Sequence, residues 1–217
     1  MKKLSYIAIE GVIGAGKTSL ARILSKRLNG RLVLEKHEEN PFLADFYKDP
    51  ARYAFETQMF FLLNRYRQQL DLQQQDLFQR MIISDYIFQK DRIFASLTLE
   101  DREFVLYEKV ANLLEREIIA PDLVIYLQAN TKRLMMNIKR RGRPYEKNIS
   151  PEYIRALVEA YNHFFFHYAD TPLLIVNMDG LDFVHNEEQL DTLIQQIMLP
   201  LGGTKYYNPI IEQGAKK

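Results

Sequence analysis

The stretch GVIGAGKT, Gly11 to Thr18, fits the pattern G-x-x-x-x-G-K-[ST] without a gap. Glycines there let backbone N–H groups turn inward around phosphate oxygens, and a helix starting at the loop adds its positive end. Lys17 is then placed to reach the β- and γ-phosphates of a nucleoside triphosphate, with the Thr18 hydroxyl as a ligand for Mg²⁺. The expected ATP-binding segment is therefore Gly11, Gly14, Ala15, Gly16, Lys17, Thr18 and Ser19. Asp85 closes the apolar run MIISD, the position of a Walker-B acid that holds the same magnesium directly or through water. The run KRRGR, Lys139 to Arg143, reads alone as a solvated face. Beside a triphosphate site it becomes an arginine-rich lid, because planar guanidinium groups stabilise charge on a transferred phosphoryl group.

What accepts that phosphoryl group is a separate question. Glu35 opens EKHEENPFLADFYKDPARYAFETQ, and a carboxylate at a strand end near a γ-phosphate can take the proton of an attacking hydroxyl. On chemistry alone, Glu35, Glu38 and Glu39 serve equally well as a charged loop.

These residues need a scaffold, and the chain alternates strand-length apolar runs with longer helical patterns. The runs are Leu4–Ile9, Leu32–Leu34, Met81–Ser84, Leu123–Leu127 and Leu173–Val176, which predicts a five-stranded parallel sheet wrapped by helices. Leu20, Ile23, Leu24 and Leu28 place a helix directly after the glycine loop. Further helices are expected over Pro50 to about Gln75, Leu99–Ile118, Pro151–Tyr168 and the segment NEEQLDTLIQQIML. Phe55, Met59, Leu62, Tyr66 and Leu70 form the core side of the long one. Four of the strand runs lead to a polar residue, Glu10, Glu35, Asp85 or Gln128. Ligands of open parallel sheets bind beyond the carboxyl ends of the strands, so Glu35 and Asp85 should share a cleft with the glycine loop. Residues 1–200 read as one domain and 201–217 as a polar tail.

The bulk composition sets limits. The chain has 217 residues, 47% hydrophobic and 26% charged, with net charge +1, as in an ordinary globular protein. It lacks the basic blocks of a nucleic-acid binder and any apolar stretch of membrane-spanning length. It has no cysteine, which excludes thiolate metal sites and disulfides and fits a reducing, cytoplasmic setting. His163 and His167 are an i, i+4 pair without a third ligand and read as part of an aromatic helix face; His37 and His185 are isolated.

The glycine loop together with E-x-x-x-x-N-P-F-L, FYKDPARYAFETQ, DYIFQKDRIFA and RGRPYE resembles the deoxyribonucleoside kinase family, in its deoxyadenosine, deoxyguanosine and deoxycytidine kinase branch with bacterial relatives. The resemblance runs from about Ser5 to Ile197. It implies an α/β P-loop kinase fold with a helical lid, transfer of the γ-phosphoryl group of ATP to a deoxynucleoside 5′-hydroxyl, and a homodimer joined through the long helices. By the same resemblance Glu35 is the base for the 5′-hydroxyl, while Tyr47 and Glu146 hydrogen-bond the sugar 3′-hydroxyl. Gln58 reads the base edge, the Arg65–Asp91 pair lies over the base, Arg141 and Arg143 close on the phosphates, and Asp182 and Phe183 pack against the adenine of ATP. The helix supports part of this independently, because Gln58 and Arg65 are seven residues apart and share a face. Read without the resemblance, Asp91 forms a surface pair with Arg92 and Tyr47 is a core tyrosine.

Two departures stand out. Asp85-Tyr86-Ile87 lacks the arginine that the family often carries after the third strand, so charge at the phosphoryl group must be met elsewhere, with Arg140 and Arg141 as candidates. Glu35 is followed by Lys36 where the family has proline, and Asp85 competes with Glu35 as base. Glu35 leads because a magnesium-bound carboxylate is a poorer proton acceptor. Arg65 and Asp91 point, by resemblance, to deoxyadenosine, deoxyguanosine or deoxycytidine rather than thymidine, with deoxyadenosine favoured. The alternatives are a nucleoside monophosphate kinase of thymidylate-kinase type and a P-loop regulatory protein that binds nucleotide without transferring phosphate.

Overall fold

The computed structural model describes residues 4–74, 81–199 and 202–209. A parallel sheet runs through the molecule in the order β2-β3-β1-β4-β5-β6. Its strands are β1 (Tyr6–Gly11), β2 (Arg31–Val33), β3 (Ile82–Ser84), β4 (Leu123–Gln128), β5 (Leu173–Asn177) and β6 (Thr204–Tyr207). Every residue of β1 is buried, as are the first five of β4, so helices cover both faces of the sheet centre. The five expected strands are all present. The sheet has six strands rather than five, because Thr204–Tyr207, taken for polar tail, pairs in parallel with β5. This edge strand has no apolar run to signal it, only alternation of exposed Thr204 and Tyr206 with half-buried Lys205 and Tyr207. The end of that expected tail, residues 210–217, lies outside the described residues.

The helices are α1 (Lys17–Arg27), α2 (Leu43–Phe46), α3 (Pro50–Gln74), α4 (Lys90–Thr98), α5 (Asp101–Glu115), α6 (Thr131–Arg141), α7 (Pro151–Phe166) and α8 (Glu187–Met198). Proline at the first position of α3, with no glycine or proline after it, explains its length; its expected end at Gln75 lies outside the described residues. The helix expected from Leu99 begins at Asp101, where Glu100 and Glu103 form a capping box. A separate short helix, α4, precedes it. The N-termini of α6, α7 and α8 are capped by Asn130, Ser150 and Asn186. The run Lys139–Arg141 occupies the last turn of α6, where cations complement the helix dipole before the Gly142 stop.

Strand order reverses around β1, because the chain places β2 and β3 on one side of it and β4 on the other. The loops after β1, β2 and β3 therefore meet at one carboxyl edge. A buried carboxylate ties that edge together. Glu10 Oε1 accepts from the Gly11 N–H at 2.8 Å and the Tyr161 hydroxyl at 3.2 Å, while Oε2 accepts from the Ile87 N–H at 3.1 Å. The start of the glycine loop is thus fixed to the segment behind β3. Replacing Glu10 by Ala would leave two buried N–H groups without an acceptor, and urea denaturation should show about 3 kcal/mol or more of lost stability. A loss under about 1 kcal/mol would show that the clamp is not structural.

Candidate active site

A cavity of about 550 Å³ opens at this carboxyl edge, between the glycine loop, α3, α4 and the lid that follows α6. Gly14 sits at φ +87°, and a Cβ there would lie 2.8 Å from the Leu134 carbonyl oxygen. Both conditions require glycine. Asn137 of α6 donates to the Gly14 carbonyl at 2.8 Å, so the helix that ends in the lid arginines also braces the loop from behind. Gly16 is the left-handed cap of α1, and the Phe183 ring packs 3.5 Å from where its Cβ would be. Lys17 Nζ donates to the carbonyls of Gly11 at 2.5 Å and Val12 at 3.2 Å. Burial and the neighbouring Lys90 ammonium lower its pKa to about 8, against the pull of Glu10, Glu35 and Asp85.

Asp85 joins two strand ends. Its Oδ2 accepts from the Thr18 hydroxyl at 2.6 Å and its Oδ1 from the Glu35 N–H at 2.8 Å. Thr18 and Asp85 thus present hard oxygen ligands side by side, a donor set that suits Mg²⁺. Among the described residues no group of three or more His, Cys, Asp or Glu could hold an ion. Two protein oxygens leave room for phosphate oxygens to complete such a site.

Beyond Asp85 lies a buried ionic chain. Arg65 donates through Nε to Glu35 Oε1 at 2.9 Å, and a second time through Nη2, while its Nη1 pairs with Asp91. Lys90 Nζ holds the other Glu35 oxygen, Oε2, at 2.5 Å. Burial alone would raise the Glu35 pKa, but Lys90 and Arg65 outweigh it and hold the carboxyl well below its ordinary range. Asp91 is pushed up to about 6 by burial, with Arg65 acting against the shift. Its Oδ2 is buried without a hydrogen-bond partner among the described residues. Asp91 does not pair with Arg92, which turns outward to Glu108 and Glu115. A simple i, i+1 surface pair was the wrong expectation for sequence chemistry alone, because Asp91 lies on the face of α4 turned toward Arg65.

Gln58 and Arg65 line the same wall, as their helical spacing predicts, and Gln58 Nε2 donates to the Thr98 hydroxyl at 3.4 Å. Phe61, Phe94 and the cavity-facing Tyr47 supply aromatic surface between these polar groups. Tyr47 is stacked on Tyr145, with ring centroids 6.1 Å apart. Glu146 accepts from Arg141 Nε at 3.1 Å and Nη2 at 2.5 Å, and from Arg143 at 3.5 Å. The lid is therefore cross-linked over the opening. Asp182 stands apart from the cavity lining. Its carboxylate accepts from the Val184 and His185 N–H groups, and it is exposed.

Sequence reasoning passed over Lys90 and His37, both of which line the cavity. His37 Nε2 is buried without a hydrogen-bond partner among the described residues, and burial lowers its pKa. Lys90 carried one usable signal, a lysine in the segment where an arginine was missing.

The arrangement joins a triphosphate cradle to a second, aromatic-lined compartment through one carboxylate, Glu35. The family description "Deoxynucleoside kinase" matches residues 7–199. A deoxyguanosine kinase of Bacillus subtilis is 35% identical over 202 residues, covering 91% of this chain and 98% of its own. A deoxyadenosine kinase of Dictyostelium discoideum is 34% identical and covers 95% and 83%. Among solved structures, deoxyadenosine kinase from M. mycoides with bound dATP superimposes with a TM-score of 0.77 at 28% identity, covering 89% of this chain and 98% of that one. The chain belongs to the deoxynucleoside kinase family.

Proposed function

We propose that this chain transfers the γ-phosphoryl group of ATP to the 5′-hydroxyl of a deoxyribonucleoside, with deoxyadenosine favoured, and that it acts in nucleotide salvage. The observation that carries the reading is the position of Glu35. Its backbone is tied to the acid beside Thr18, and its side chain to the Arg65–Asp91 pair of the neighbouring compartment.

ATP lies on the glycine loop with Lys17 at its phosphates, Arg141 and Arg143 over it, and its adenine toward Phe183 and Asp182. Thr18 and Asp85 would hold Mg²⁺, which when bound supplies positive charge to the β- and γ-phosphate oxygens. The deoxynucleoside enters beneath α3 with its 3′-hydroxyl at Tyr47 and Glu146. Gln58 offers one donor and one acceptor to a base edge, and the free Asp91 Oδ2 accepts from an amino group. Adenine, guanine and cytosine carry such a group and thymine does not. Glu35 orients the 5′-hydroxyl and receives its proton as the O5′–P bond forms and the bond from the γ-phosphorus to the bridging oxygen breaks, leaving ADP. A carboxylate held so firmly in its ionised form is a weak base, so positioning and charge stabilisation carry most of the rate.

A monophosphate acceptor would need cations at the far compartment, where the Arg65 guanidinium already bridges Glu35 and Asp91. For assembly we favour a homodimer through the long helices. Val105, Leu106 and Leu113 of α5 are exposed, an apolar face that such pairing would cover. The lack of cysteine suits the reducing cytoplasm, where we place the enzyme.

Glu35→Gln should cut kcat by about 100-fold or more while ATP affinity, measured by calorimetry, stays near that of the wild type. Near-normal turnover would move the base to Asp85. In a coupled ADP-release assay across the deoxynucleosides, their ribo counterparts and the monophosphates, deoxyadenosine should be the best acceptor and thymidine and the monophosphates poor ones. A monophosphate as best acceptor would overturn the assignment, and failure of every acceptor would leave a nucleotide-binding protein without transferase activity.

A further inference from the structure

The segment after β3 has no arginine at the phosphoryl end of the site, since Tyr86 takes the position after Asp85 and is buried in the core. The same segment delivers another cation. Lys90 is 6% exposed, lines the cavity and reaches Glu35 Oε2. Its backbone is positioned from the glycine loop itself. Glu10 fixes the Ile87 N–H, and the Ile87 carbonyl in turn accepts from the Lys90 N–H at 3.2 Å. Helix stability does not account for a lysine there. It is the first residue of α4, where a cation opposes the helix dipole. The Lys90 charge is also felt by Lys17, so two ammonium groups share the site with the carboxylates of Glu10, Glu35 and Asp85.

We propose that Lys90 is a catalytic counter-cation that changes partners: it neutralises Glu35 in the empty site and turns to the γ-phosphoryl oxygens when both substrates are bound. This deepens the reading of Glu35 as base and rests on it. A lysine suits the exchange because its charge is a point on a flexible four-carbon stem, whereas the Arg65 fork is committed to two carboxylates. During transfer Lys90 stays protonated. The O5′ proton passes to Glu35, whose Oε2 has been released, the O5′–P bond forms, and the electron pair of the breaking P–O bond leaves with ADP. Lys90 supplies the charge that an arginine after Asp85 would otherwise bring to the phosphoryl oxygens.

The absence of cysteine gives a direct test. Lys90→Cys introduces a single thiol, and alkylation of the unfolded variant with 2-bromoethylamine, followed by refolding, rebuilds an ammonium side chain of lysine length. The unmodified variant should lose about 100-fold in kcat, while the deoxyadenosine KM and the ATP affinity move less than about threefold. Aminoethylation should recover about tenfold or more of that kcat. Urea denaturation checks that each form is folded, and Lys90→Arg, which keeps the charge, should retain more kcat than Lys90→Met. Turnover of folded Lys90→Cys within about threefold of wild type, or a loss that neither aminoethylation nor Lys90→Arg relieves, would overturn the proposal. Wild type and Glu35→Gln run alongside separate the two claims. An active Glu35→Gln sinks the base, whereas an inactive Glu35→Gln beside a fully active Lys90→Cys sinks only the role of Lys90.

Discussion

A buried guanidinium must have anions on it, and Arg65 is 3% exposed. Taking such an ion out of water costs several kcal/mol unless its hydrogen bonds are met by charged partners. Arg65 meets them on two sides, with Glu35 from the loop after β2 and Asp91 from α4. Lys90 completes the group, so two cations and two carboxylates balance inside the protein. Three elements far apart in sequence are thereby held to one geometry, and the compartment that α3 and α4 enclose has a fixed floor. Removing any one member would strand a buried charge, so the same residues that define the site also hold its walls together.

The phosphate side of the cavity depends on a second buried acid. Glu10 is fully buried and holds the start of the glycine loop against the segment that carries Lys90, while Asp85 holds Thr18 against the Glu35 backbone. Donor and acceptor compartments are therefore referenced to the same three strand ends. Phosphoryl transfer needs little covalent help from the protein beyond this registration and the charge around it. The lid adds the remaining cations, with Arg141 and Arg143 parked on Glu146, a residue that also borders the nucleoside compartment. In the proposed complex, substrate that engages Glu146 would thus be sensed by Arg141 and Arg143.

Local patterns were legible in the sequence. The glycine loop is a contiguous motif whose chemistry dictates its neighbours, and Asp85 and Glu35 follow from the rule that parallel strands aim their carboxyl ends at the ligand. Gln58 and Arg65 came by resemblance, and helical spacing places them on one face. What depended on non-local pairing was not legible. Asp91 has Arg92 next to it in sequence and Arg65 next to it in space, and nothing local chooses between them; the resemblance alone paired it with Arg65. Lys90 became meaningful only once α4 was seen to start at that residue and to face Glu35. Strand β6 has a polar surface and gains its place from β5, so periodicity alone could not announce it. Asp182 came by resemblance alone, and its carboxylate caps its own turn.

The proposed transfer requires Glu35 to give up part of its ionic grip to an alcohol when both substrates are present. A crystal structure with deoxyadenosine and a non-hydrolysable ATP analogue measures this directly. A Glu35 carboxylate oxygen is expected within about 2.6–3.2 Å of O5′, on the side facing the γ-phosphorus. Finding the acid still closed on both Lys90 and Arg65, with O5′ beyond hydrogen-bonding distance or directed to Asp85, would contradict it.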